Sequence, residues 1–104
     1  MSKKRDQLKA KYKSLYFELQ GILFTHDLMG INFETNVDEY DPEVDTILPR
    51  LKTAKSSVDV ARIIFEEFER WFDKEQAAQI NDKLYLNLAN DVWATWNKYN
   101  AKET

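Results

Sequence analysis

The feature that most restricts the fold is the spacing of apolar residues, which recurs at three and four positions along most of the chain. Leu8, Tyr12, Leu15, Leu19 and Ile22 step by 4, 3, 4 and 3, the repeat that lines one side of an α-helix. This predicts a first helix from about Asp6 to Thr25. Tyr16, Phe17, Leu23 and Phe24 widen the apolar surface of its second half, so that half is expected to run through the middle of the domain. Gly21 sits inside it at a cost of roughly 1 kcal/mol relative to alanine, which the sequence reading assigns to a close crossing by another helix. Two glycines and two prolines in 104 residues are too few for the tight turns of an all-β fold.

The same logic divides the remainder. Asp41-Pro42-Glu43 reads as a helix start, with Asp41 capping and acidic groups at the positive end of the dipole. Val44, Ile47, Leu48 and Leu51 carry that second helix to about Ala54, and Pro49 is expected to kink or tighten it. Ser56 and Asp59 have capping-box spacing for a third helix, whose stripe is Val58, Ala61, Phe65, Phe68 and Phe72, widened by Ile64 and Trp71. Glu66, Glu67, Glu69 and Arg70 read as its solvated side. Asp73 and Gln76 can cap a fourth helix that keeps Leu84, Leu88, Val92 and Trp96 in phase, with a break near Asn81. Leu84, Leu86 and Leu88 also alternate as a strand would, but Asn81, Asp82, Asn87 and Asn90 suit a strand poorly. The three tryptophans stand at helical spacing, so each is expected in the core, and an exposed one would mark an interface. The expectation is one all-α domain over residues 1–104, a compact bundle of about four helices with a frayed basic leader at 1–7.

Composition narrows the class further. With 43% apolar and 13% aromatic residues the chain can form a packed core, and with no cysteine it must do so without disulfides. No apolar run approaches the roughly 18 residues that span a bilayer, so a cytoplasmic protein without a membrane partner is expected. Residues 1–13 hold six Lys/Arg against one Asp, whereas residues 14–104 hold nine basic against seventeen acidic groups, a net −8. A body of that sign repels phosphate backbones and attracts basic surfaces, so nucleic acid is not the expected partner.

The negative charge concentrates in the stretch from His26 to Asp45, which spans the long connection between the first two helices, His26 to Tyr40, and the start of the second. It holds Asp27, Glu34, Asp38, Glu39, Asp41, Glu43 and Asp45 with no Lys or Arg. Such a length of chain without its own structure is usually functional, and Leu28, Met29, Ile31, Phe33, Val37 and Tyr40 can pin it to the core. Gly30 suits a positive φ in a turn with Asp27. The bland reading of the acidic groups is solvation and helix capping. The functional reading is a partner-binding patch of Asp38, Glu39, Tyr40, Asp41, Glu43, Asp45 and Phe33.

Enzymatic chemistry finds little to stand on. His26 is the only histidine and ends a helix, where it complements the dipole. There is no cysteine nucleophile, no G-x-S-x-G elbow and no Gly-rich phosphate loop. An EF-hand register fails because Asp41 or Glu43 falls where its glycine belongs, leaving an irregular divalent site at Asp38, Asp41 and Asp45 as the rival reading. No catalytic residue and no cofactor are expected.

The chain resembles a family of small bacterial helical domains of unknown function. Its pattern is W-D-P-x-G-[IL], then D-E-Y-D, spaced Ile and Leu, F-x-x-x-F and A-x-x-[IV]-W. Asp27, Gly30 and Ile31 fit the first element and Asp38-Glu39-Tyr40-Asp41 the second, followed by Ile47, Leu51, Phe68, Phe72, Ala89, Val92 and Trp93. His26 stands for the aromatic, Leu28 for the proline, and Asp73 where a glycine often ends the third helix. The resemblance implies a companion of secreted bacterial toxins, an immunity protein with a basic toxin as partner. The reading that follows is a non-enzymatic protein-binding domain. Its alternative is a housekeeping domain that binds a divalent metal or small ligand at the acidic connection.

Overall fold

In the computed structural model, described for residues 3–30 and 40–103, the chain is helical throughout, without a strand among those residues. Among the described residues, six α-helices and one 3-10 helix follow in order: α1 Lys3–Tyr12, α2 Ser14–His26, α3 Asp41–Ile47, the 3-10 helix Leu48–Thr53, α4 Ser57–Trp71, α5 Lys74–Gln79 and α6 Asp82–Glu103. The long α6 packs against both α4 and α2, and α3 closes the other side against α4 and α2. None of these helices is long and apolar enough to cross a membrane.

The expected four helices become six because two of them break. The first stops at Lys13, whose φ of 53° and ψ of −125° leave the helical region. This break lets two faces be buried in turn: Leu8 and Tyr12 before it, then Leu15, Tyr16, Leu19 and Leu23 after it. Tyr12 packs on Trp96 and Tyr99 at ring distances of 6.4 and 5.9 Å. Residues 3–7 of the basic leader belong to α1, where Arg5 pairs with Asp45. The second break, at Ile80 and Asn81, is closed by the Asn81 side chain, which accepts from the Lys83 N–H at 2.7 Å. Residues 84–88 are helical.

Local chemistry explains the other boundaries. Pro49 coincides with the change from α-helix to 3-10 helix after Ile47, where the tighter turn accommodates the missing N–H. Ser56 caps α4 by accepting from the Asp59 N–H at 3.2 Å, and Asp73 caps α5 by accepting from Gln76 at 2.7 Å. The cap of α3 is Tyr40, whose side chain makes no cap bond, and Asp41 is the first helical residue.

The core is organised around Phe68, which stacks on Tyr40 and meets Phe72 and Tyr85 edge-on. Its phase differs from the apolar spacing at two places. Val58 and Leu84 are exposed, because the buried sides of α4 and α6 centre on Val60, Ile63, Ile64 and Phe68 and on Tyr85, Leu88, Ala89 and Val92. Gly21 is not a close crossing: a Cβ placed there would meet nothing within 4 Å.

Candidate functional site

The acid-rich start of α3 is where sequence reasoning looked for a contact surface. The structure turns its described members inward. Tyr40 is fully buried, its ring stacked on Phe68 with centroids 6.3 Å apart. Its hydroxyl donates to Asp27 Oδ1 at 2.7 Å and accepts from the Met29 N–H at 3.2 Å. Burial, and then the Asp27 carboxylate, push the phenol well above its ordinary range. Asp27 itself adopts a left-handed conformation at the end of α2 (φ 46°, ψ 51°), and its N–H bonds Leu23 O. Gly30 has a φ of 68°, and its N–H donates to Asp27 O at 3.1 Å. Tyr40 thus fastens the turn after α2 to the start of α3.

The carboxylates follow the same pattern. Asp41, 4% exposed, accepts from Gln20 Nε2 at 2.7 Å. One turn on, Asp45 is shared between Arg5 Nε at 2.8 Å and the Tyr16 hydroxyl at 2.7 Å, one oxygen each. Burial and the bond to Asp45 raise the Tyr16 phenol. Glu43 is 3% exposed, and its acidity shifts with its burial. Burial pushes it up to about 7, the neighbouring Asp41 and Asp45 add to the rise, and its own backbone N–H and Arg5 oppose it. An outward acidic patch therefore does not describe Tyr40, Asp41 or Glu43, and Asp45 is largely occupied. The physical reason is helical phase: residues 41 and 45 lie one turn apart, where Gln20, Tyr16 and Arg5 meet them. Phe33, Asp38 and Glu39 lie outside the described residues.

The rival metal site loses its described ligands to the same bonds, since Asp41 and Asp45 are held by Gln20, Arg5 and Tyr16. Among the described residues no three His, Asp or Glu side chains stand close enough to hold a metal ion. His26, the last residue of α2, places Nε2 2.6 Å from Asp91 Oδ2 on α6.

A different surface emerges where α3 meets the C-terminal half of α4. Arg50 forks onto Glu66 at 2.5 Å and Glu67 at 2.8 Å. Glu67 belongs to the buried side of α4, not to its solvated side, with a side chain only 2% exposed. Its second oxygen makes no hydrogen bond and has Arg70 Nη1 at 3.6 Å. A cleft of about 430 Å³ opens here between Lys4, Asp45, Thr46, Arg50 and Arg70. Beside it Trp71, the last residue of α4, is 44% exposed. Its indole N–H donates to Thr46 Oγ1 at 2.9 Å, and that hydroxyl in turn donates to Glu43 O at 3.3 Å. The exposed carboxylates of this stretch, Glu66, Asp73 and Glu75, surround it in sequence.

Sequence reasoning missed both features. The signal for Glu67 was present, because it stands four residues after Ile63 and seven after Val60, in phase with the buried stripe. Trp71 shares that phase but ends the helix, where the core no longer covers it. Compared with family models, curated proteins and solved structures, the chain matches none.

Proposed function

We propose that the chain is a non-enzymatic protein-binding domain for a basic partner, with the contact surface at the end of α4 and the start of α5. The observation that carries this reading is Trp71: a large aromatic, nearly half exposed and held in one orientation by Thr46. Tryptophan anchors dominate the energetics of protein interfaces, and one already oriented loses less freedom on binding. Glu66, Glu69, Asp73 and Glu75 outnumber Arg70 and Lys74 in the sequence on either side of it, and on a body of net −8 they supply the negative potential that would steer a cationic surface. An immunity protein masking the cationic cleft of a nuclease toxin is the specific form of this proposal. On this reading the charges orient the partner and the aromatic holds it, within Glu66–Glu75 and not at the acidic connection.

The test begins with the partner recovered by cross-linking in the cell of origin. Its association rate with the purified domain is expected to fall steeply as ionic strength rises. Trp71→Ala is expected to cost about 2 kcal/mol or more of binding while the domain stays folded. An association rate indifferent to salt, together with wild-type affinity in Trp71→Ala, overturns the proposal.

A further inference from the structure

The cleft between α2 and α6 is built around a residue that neither packing nor backbone geometry explains. Gly21 lies inside α2, where glycine weakens a helix relative to alanine. Of the two glycines only Gly30 has a positive φ, and a Cβ at position 21 would meet no heavy atom within 4 Å. What does lie over Gly21 is an open cleft of about 390 Å³, in the size range of small-ligand sites. Ile22 gives it an apolar wall, and Thr25 and Thr95 contribute hydroxyls. Each helix adds one exposed carboxylate, Glu18 from α2 and Asp91 from α6. Asp91 is braced by His26, whose Nε2 stands 2.6 Å from Oδ2.

We propose that this cleft binds an aliphatic cation, a primary alkylammonium or alkylguanidinium, whose stem crosses Gly21 and Ile22 and whose charged head is drawn to Glu18 and Asp91. Two carboxylates and an apolar floor select positive charge on an extended stem, and hydroxyls at 25 and 95 can accept the remaining ammonium protons. A methyl group at position 21 would stand where the stem passes, so glycine keeps the floor open at the expense of helix stability. The site shares no residue with the Trp71 surface and does not depend on it.

Nuclear magnetic resonance titration of the ¹⁵N-labelled full chain with n-butylammonium tests this. The expected result is saturable shifts of the Gly21, Thr25 and Thr95 amides in the millimolar range, and about tenfold weaker binding of n-butanol, which has the stem without the charge. Gly21→Ala should raise the melting temperature by about 4 °C and weaken n-butylammonium binding about tenfold, a stabilised protein that has lost its ligand. Asp91→Asn should weaken binding while leaving the domain folded. A second arm with the peptide acetyl-Ala-Lys-Ala-amide separates the two sources of this chemistry: equal affinity indicates a free amine, and tighter peptide binding indicates a lysine on a partner. Non-saturating shifts spread over all acidic helices, or Gly21→Ala binding as wild type does, would overturn the proposal.

Discussion

The first turns of α3 and the last turns of α4 are both rich in carboxylates, yet the two regions use them in opposite ways. Asp41, Glu43 and Asp45 face Gln20, Tyr16, Arg5 and the interior. Glu66, Asp73 and Glu75 are exposed, Glu66 sharing Arg50 at the surface, in the same stretch as an exposed tryptophan. Acidic density along a sequence therefore measures neither exposure nor availability to a partner. What decides is whether the helical phase of each carboxylate coincides with donors on neighbouring helices, and a buried carboxylate with such donors becomes part of the framework. Glu67 makes the point within one helix, buried against Arg50 while its neighbour Glu66 lies half in water.

This contrast can be broken at its strongest point first. Tyr40→Ala removes a fully buried ring stacked on Phe68 together with the bonds to Asp27 and Met29. A loss of about 3–5 kcal/mol is expected in urea unfolding. A loss under 1 kcal/mol would mean that the start of α3 is not a framework element.

Glu43 sharpens the contrast through pH. Its folded value of about 7 lies above the ordinary 4.5, so the folded state holds a proton that the unfolded state releases between those values. Stability from this group is fully present below pH 4.5 and is lost as pH rises to about 7, a decline of about 3 kcal/mol. Glu43→Gln should remove that decline and be the more stable protein at pH 7.5, as read by unfolding midpoints across the range.

Arg50→Ala probes the one buried carboxylate on α4. It leaves Glu67 with Arg70 Nη1 at 3.6 Å, and since Arg50 is itself 37% exposed a cost of about 1–2 kcal/mol is expected in the same assay. The smallest effect belongs to the outer carboxylates. Reversing Asp73 is complicated by its cap on α5, but Glu75→Lys should change stability by less than about 0.5 kcal/mol. Its effect is expected in the association rate with a basic partner.

Much of the fold was legible in the sequence. Helix positions, the caps at Ser56 and Asp73, the disturbance at Pro49 and the break near Asn81 all follow from local chemistry that acts within four or five residues. The break at Lys13 was not legible, because it answers to Tyr12 meeting Trp96 and Tyr99 more than eighty residues away. The same distance hid the fate of the acidic residues: Asp45 is paired with Arg5, forty positions earlier, and Asp41 with Gln20. Trp71 and Glu67 occupy equivalent phases of α4, and only the extent of the core along the helix separates the exposed one from the buried one.

The inward orientation of the α3 carboxylates is tested most directly by a ¹³C titration of the Glu43 side-chain carboxyl in the folded protein. A midpoint near pH 7 is the predicted result. A midpoint near 4.5, the value of a glutamate in water, would place Glu43 at the surface and contradict the account.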